Sequence, residues 1–237
     1  MSYKKQKIII EVKGVSKKIR DNTILDNINL QIFEGEIFGL LGPNGSGKTI
    51  LIQTILGTVE PDCGIIQLFN KKLKSNLSYI RKSINFASAY STLQEQLTIM
   101  DNLRTFAGLY EINKPLTKIN ELVSFFGLEK KVKEKAKVLS LSSGENTRLL
   151  LCKALINNPK ILFLDEPTAS LDPYIALQLQ KLIKKIHKKN KMTVVYASHN
   201  MSEVKNLCNR IAFLKKGKTV RIVNKNQLPE IYGLYKQ

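Results

Sequence analysis

The sequence predicts an α/β fold with a mainly parallel sheet, and three observations carry that expectation. Short apolar runs alternate with stretches of helical periodicity along much of the chain, as strands and helices packed in layers require. Ile161 to Leu164 is apolar at every position and too short for a helix, which fits a strand buried on both faces. Gly42 to Thr49 is a glycine-rich turn set directly after one such strand and before a helical pattern.

Taken in order, Ile8 to Val15 and Thr23 to Phe33 read as strands separated by a polar turn, forming an antiparallel β portion at the N-terminal end. Glu34-Gly35-Glu36 is a further turn, and Ile37 to Leu41 is a short apolar strand. Lys48 to Leu56 follows as a helix, closed by Gly57 and Pro61. Ile65 to Phe69 and Ile84 to Ala87 are further strands. From about Tyr90 to Asn158 apolar residues recur at helical spacing, which predicts a helical subdomain inserted in the α/β core. After Pro159 come the Ile161 strand and an amphipathic helix, Tyr174 to Lys189, with Ile175, Leu179, Leu182, Ile183 and Ile186 on one side. Thr193 to Ala197 and Ile211 to Leu214 repeat the strand signal, and Thr219 to Val223 fits a closing strand. The whole of 1–237 is thus expected to be one domain, with no stretch left over for a regulatory one.

The 237 residues include 38 Lys and Arg against 19 Asp and Glu, a formal charge of +19, and 43% are hydrophobic. That composition excludes disordered, collagen-like and disulfide-scaffold classes. Cys63, Cys152 and Cys208 are far apart and lack metal-ligand spacing, so a reducing compartment is the simplest setting. No apolar run approaches the roughly 18 residues of a membrane span. The charge points to a polyanion, nucleic acid or an anionic membrane surface, or to a lysine-rich solvated surface. Lysine supplies 32 of the basic residues. Its dense stretches, Lys130 to Lys137 and Lys181 to Lys191, fall beside helices rather than around one reading face, so nucleic acid is the less favoured partner.

Gly42-Pro43-Asn44-Gly45-Ser46-Gly47-Lys48-Thr49 matches GxxxxGK[ST] in the context that gives the motif meaning. Its glycines let backbone N–H groups turn toward phosphate oxygens at a helix N-terminus. Lys48 reaches the outer phosphates, and Thr49 offers a hydroxyl to Mg²⁺. The expected fold is therefore that of a P-loop NTPase. Asp165 and Glu166 end the Ile161 strand, where a parallel sheet presents its ligand sites. Asp165 is the candidate for Mg²⁺, and Glu166 for orienting and deprotonating the attacking water. Taken alone, Ser142 to Glu145 reads as an ordinary capping box opening a helix at Asn146 to Leu155, and a lone His199 after a strand reads as structural.

Phosphate loop, Leu141-Ser142-Ser143-Gly144-Glu145, Ile161 to Pro167, Ser170-Leu171-Asp172 and His199 nevertheless occur in one order. In that order the chain resembles the ATP-binding subunits of ABC transporters, whose signature is LSGGQ, over nearly its whole length. The resemblance implies ATP and Mg²⁺ as cofactors, ATP hydrolysis, and a homodimer or heterodimer of ATP-binding subunits. It also implies a separate transmembrane permease subunit as partner, docked on the helical insert, and a cytoplasmic protein peripheral to the inner face of the cell membrane. Ser142 and Gly144 would contact the γ-phosphate held by the other subunit. His199, 33 positions beyond Glu166, would contact it from within. Export of an unknown substrate is the expected direction.

The sequence departs from the family in three places. The residue 29 positions before Lys48, usually an aromatic that stacks on adenine, is Ile19. The usual Mg²⁺-linked Gln falls on Ala89, which has no oxygen to offer. Ser88, Tyr90 or Ser91 would then position water, or the ion would rest on Thr49, Asp165 and waters alone. The signature reads SSGE. Two other readings stand beside the transporter subunit: a nucleic-acid-associated ATPase of the same superfamily, and a weakly active nucleotide-binding partner in a heterodimeric transporter.

Overall fold

The computed structural model describes residues 7–231. In chain order the elements are β1 (Ile8–Ile19), β2 (Asn22–Phe33), β3 (Ile37–Leu41), α1 (Lys48–Leu56), β4 (Cys63–Leu68), β5 (Lys71–Lys72) and α2 (Leu73–Arg81). Next come β6 (Ile84–Ser88), α3 (Ile99–Leu109), α4 (Pro115–Phe125), α5 (Glu129–Lys133), α6 (Ser143–Ala154), β7 (Ile161–Asp165) and α7 (Pro173–Asn190). The series closes with β8 (Thr193–Ser198), α8 (Met201–Leu207), β9 (Arg210–Lys215) and β10 (Lys218–Asn224). The chain divides into two compact units, residues 1–81 with 186–237, and residues 82–185.

The first unit holds two sheets. β1 and β2 pair antiparallel through a tight turn at Arg20, which sits at φ 52°. β4 and β5 extend that sheet in the order β2-β1-β4-β5. One face of the hairpin buries Ile10, Val12, Leu25, Ile28, Leu30 and Ile32, so its alternation of apolar and polar residues is the cause of its one-sided packing. In the other sheet β3 lies between β8 and β9, parallel to both, and β10 closes the edge antiparallel to β9. All five residues of β3 and all six of β8 are buried, as continuous apolar strands in a parallel sheet require.

The second unit is built on β6 and β7, parallel in a five-residue register from Ile84 opposite Ile161 to Ser88 opposite Asp165. Helices α3 to α6 supply most of the rest. Lys153 on α6 ties three of these elements together: its ammonium donates to Phe86 O of β6 at 3.3 Å and lies 5.3 Å from the Phe106 ring centre on α3. Burial holds the Lys153 ammonium below the usual lysine range.

Between β6 and α3 the chain is not helical, although helical spacing was expected from about Tyr90. Residues 89–98 form an irregular loop held by Asn102, which accepts from Gln94 N and donates to Gln94 O and Thr98 O at 3.0 to 3.1 Å. Two helices not expected from the sequence are α2 and α8. α8 has seven residues, too few for a period to show, and rests on Asn200, whose side chain accepts from the N–H groups of Ser202 and Glu203. α2 is interrupted by Asn76, at φ −132° and ψ 22°, which breaks the spacing of Leu73, Leu77 and Ile80.

Cys152 and Cys208 are buried and Cys63 is exposed; burial pushes the Cys152 thiol far up, so it stays protonated and inert. Among the described residues no helix is long and apolar enough to cross a membrane.

Candidate functional site

The first unit carries the phosphate loop, between the end of β3 and the start of α1. Gly45 and Gly47 both adopt positive φ, 77° and 100°, and Gly47 is the residue on which α1 begins, with no side chain capping the helix. A Cβ at Gly47 would come within 2.9 Å of Ile24 O, and one at Gly42 within 2.3 Å of Leu214 O. Glycine is therefore required at both positions, by conformation and contact at Gly47 and by contact at Gly42. Pro43, Asn44 and Gly45 are exposed at the tip, while Ser46, Gly47 and Lys48 are buried.

Lys48 sends its ammonium back across the loop, donating to Gly42 O at 2.8 Å and Pro43 O at 3.2 Å. Ser46 Oγ is buried with no hydrogen-bond partner. An orphaned hydroxyl and an uncapped helix start are what a phosphate group would satisfy, and the Lys48 cation lies over the same loop. Thr49 is exposed at the first turn of α1, its hydroxyl close in sequence to the phosphate-facing backbone. Ile19 is 42% exposed at the end of β1, so an aliphatic surface is available where the family carries an aromatic. Sequence reasoning missed the support from behind: Gly217 N donates to Ser46 O at 3.2 Å, and Asp26 N donates to Gly217 O at 2.8 Å.

His199 is exposed at the C-terminal end of β8. Its turn is pinned by a buried carboxylate that the sequence did not single out. Glu203 accepts from Tyr196 Oη at 2.8 Å and from Ser198 Oγ at 3.1 Å, while Ser198 Oγ accepts from Asn200 N at 3.0 Å. The hydroxyl of buried Tyr196 thus anchors the start of α8 to the strand that leads into His199.

The second unit carries the acidic pair and the signature. Asp165, 1% exposed, ends β7, and Glu166, 7% exposed, follows at φ 49°. A left-handed glutamate costs energy that a glycine there would not, of order 1–3 kcal/mol, and such strain concentrates at working sites. The signature forms the capping box expected from its spacing. Ser142 Oγ accepts from Glu145 N at 3.3 Å, and Ser142 N donates to Glu145 Oε2 at 2.9 Å. Burial pushes the Glu145 carboxyl up, but the Ser142 N–H and hydroxyl with Lys131 and Arg148 outweigh it and hold it below the usual range. A groove of about 680 Å³ adjoins this turn, lined by Ser142, Ser143, Gly144, Arg148 and Ile175 among others. Gly144 leaves room for α7: a Cβ there would sit 3.0 Å from Ile175 Cγ2. Asp172 caps α7, accepting from Tyr174 N and Ile175 N at 3.0 Å each.

As to a metal, no cluster of three His, Cys, Asp or Glu side chains exists among the described residues. Each unit offers an oxygen of the kind a hard ion accepts, the exposed Thr49 hydroxyl in the first and the buried Asp165 carboxylate in the second.

Fold and loop together define a nucleotide-binding P-loop ATPase. Residues 25–169 match the ABC transporter family. The chain is 36% identical, over 92% of its own length and 70% of the relative's, to the uncharacterized ABC transporter ATP-binding protein YhcH of Bacillus subtilis (strain 168). It is 35% identical to the methionine import ATP-binding protein MetN of Clostridium tetani, over 87% of this chain and 66% of that protein. It is 33% identical to the Nod factor export ATP-binding protein I of Burkholderia thailandensis, over 89% and 69%. Among solved structures it superposes on cbiO1 of Clostridium perfringens, part of the ABC transporter complex cbiONQ, with TM-score 0.85 at 25% identity over 95% and 92% of the two chains. It superposes on a dimeric bacterial ABC transporter cassette with TM-score 0.82 at 27% identity over 92% and 99%. The chain belongs to the ABC transporter family, as one of its ATP-binding, ATP-hydrolysing subunits.

Proposed function

We propose that this chain hydrolyses Mg·ATP to power export of a substrate through a separate membrane-spanning partner. The observation that carries the catalytic part is the phosphate loop, with glycine where no Cβ fits, an uncapped helix start and Lys48 folded over the backbone. In this reading Gly42 to Thr49 bind the phosphates, and Lys48 neutralises charge on the outer ones. Thr49 and Asp165 would hold the ion, which would supply positive charge against the phosphates. Glu166 accepts the proton of the attacking water, and His199 steadies the γ-phosphate. Ile19 gives the base an aliphatic contact.

The chain works as one domain and pairs with a second ATP-binding subunit, identical or related. Ser142 and Gly144 of each copy face the nucleotide of the other. The dimeric relative supports that pairing, and the cbiONQ component supports work within a transporter complex. The 90–158 segment carries the permease contact, which places the protein at the cytoplasmic face of the membrane. Relatives named for import and for export both match, and export is the direction that the family resemblance of the Leu93 to Tyr110 run suggests.

The test is the Glu166→Gln variant of the purified chain. ATP binding is expected to persist while turnover falls at least about a hundredfold, with an ATP-stabilised dimer visible by size-exclusion chromatography. Wild-type turnover in that variant would remove Glu166 from the mechanism.

A further inference from the structure

The register of β6 against β7 singles out Ser88 among the residues able to position water where Ala89 stands in place of the usual Gln. Ser88 and Asp165 are the last residues of two parallel strands and lie directly opposite each other. Side chains alternate along a strand and neighbouring strands run about 4.8 Å apart, so opposed residues of a parallel pair project from the same face. The carbonyl ends of such strands are where open α/β sheets bind their ligands. The backbone links the two as well, Ala89 N donating to Asp165 O at 3.4 Å.

Both side chains are buried, Ser88 at 6% and Asp165 at 1%. Ser88 Oγ accepts from Tyr90 N at 3.2 Å, which fixes its rotamer and uses one lone pair. A hydroxyl has a second lone pair and a proton, and no described side chain takes either. The loop beyond offers no rival. Tyr90 is 77% exposed, Ser91 is half-buried with its N–H on Ser88 O, and Gln94 is exposed with its backbone held by Asn102.

We propose that Ser88 is a metal-site residue: its hydroxyl, beside the Asp165 carboxylate at the ends of β6 and β7, accepts a hydrogen bond from a water of the Mg²⁺ ion that accompanies the nucleotide. The proposal rests on the reading of Asp165 as the ion's carboxylate. A small octahedral ion keeps several waters, which donate their protons outward to fixed oxygens. Residues that orient the inner ligands in this way typically alter metal affinity 10–100-fold when removed.

The experiment uses Mn²⁺ as a paramagnetic stand-in and follows its free signal by electron paramagnetic resonance as it is titrated into the nucleotide-bound chain. The wild type is compared with Ser88→Ala and Ser88→Thr, and nucleotide affinity in EDTA and melting temperature are measured on all three. Ser88→Ala is expected to weaken Mn²⁺ binding about tenfold with the metal-free nucleotide affinity and melting temperature unchanged, and Ser88→Thr is expected to restore it. Unchanged Mn²⁺ affinity in Ser88→Ala, or an equal loss of metal-free nucleotide binding, would overturn the proposal alone. A wild type that takes up no Mn²⁺ with nucleotide would overturn the Asp165 reading beneath it.

Discussion

Two helices of this protein begin at sites expected to meet phosphate, and they begin in opposite ways. α1 starts on Gly47, in a left-handed conformation, and no N-cap side chain answers its first N–H groups. α6 starts on Ser142 and closes its own N-terminus, serine and Glu145 exchanging hydrogen bonds in a complete capping box. The first is a binding cradle that gives up local stability, because four N–H groups at a helix start need partners. The second is stable by itself and carries a carboxylate, so any phosphate it meets must come to a surface already satisfied. Under the proposed pairing, the difference would separate a site that holds a nucleotide from one that meets it only when a second subunit closes.

That contrast can be broken most sharply at Gly47. Gly47→Ala puts a Cβ at positive φ against Ile24 O, and is expected to cost about 1–3 kcal/mol of stability in urea denaturation and at least tenfold in nucleotide affinity by titration. An alanine tolerated on both measures would mean that the open start of α1 is incidental. A smaller effect follows at the other helix. Ser142→Ala is expected to lower stability by about 1 kcal/mol while the isolated subunit binds nucleotide as before. Loss of nucleotide binding by the isolated subunit would show that α6 belongs to the same subunit's cradle.

The smallest effect depends on pH. The Glu145 carboxyl is held below its usual range, so its contribution to stability is present above about pH 4.5 and is lost as pH falls through the lowered value. Glu145→Gln is expected to be less stable than wild type near pH 7 by about a few tenths of a kcal/mol, with the gap closing in denaturation curves as pH falls through the lowered value. A gap that stays constant with pH would assign the stabilisation to shape rather than charge.

Legibility in the sequence followed the length scale of each interaction. The phosphate loop, the capping box and the acidic pair are contiguous, so their residues declare themselves by spacing. The strands of the parallel sheet were legible for the same reason, since burial on both faces leaves their middle positions almost wholly apolar. The support for these groups was not. Gly217 lies far from Ser46 in the chain yet bonds to its carbonyl, and Glu203 reaches back to Tyr196 across a turn. The left-handed backbone of Glu166 leaves no mark in composition, because glutamate is an ordinary residue everywhere else. The loop over 89–98 read as helical because its apolar residues happen to fall near helical spacing, whereas Asn102 holds it irregular through its own backbone.

Burial of Cys152 and Cys208 leaves Cys63, on β4 and within 3.7 Å of Gly14 O, as the one exposed thiol. A maleimide dye will therefore attach at a single position in the unaltered protein. Its emission would report on the strand pair that bears Ile19, the proposed contact for the nucleotide's base, without any cysteine-free background having to be made.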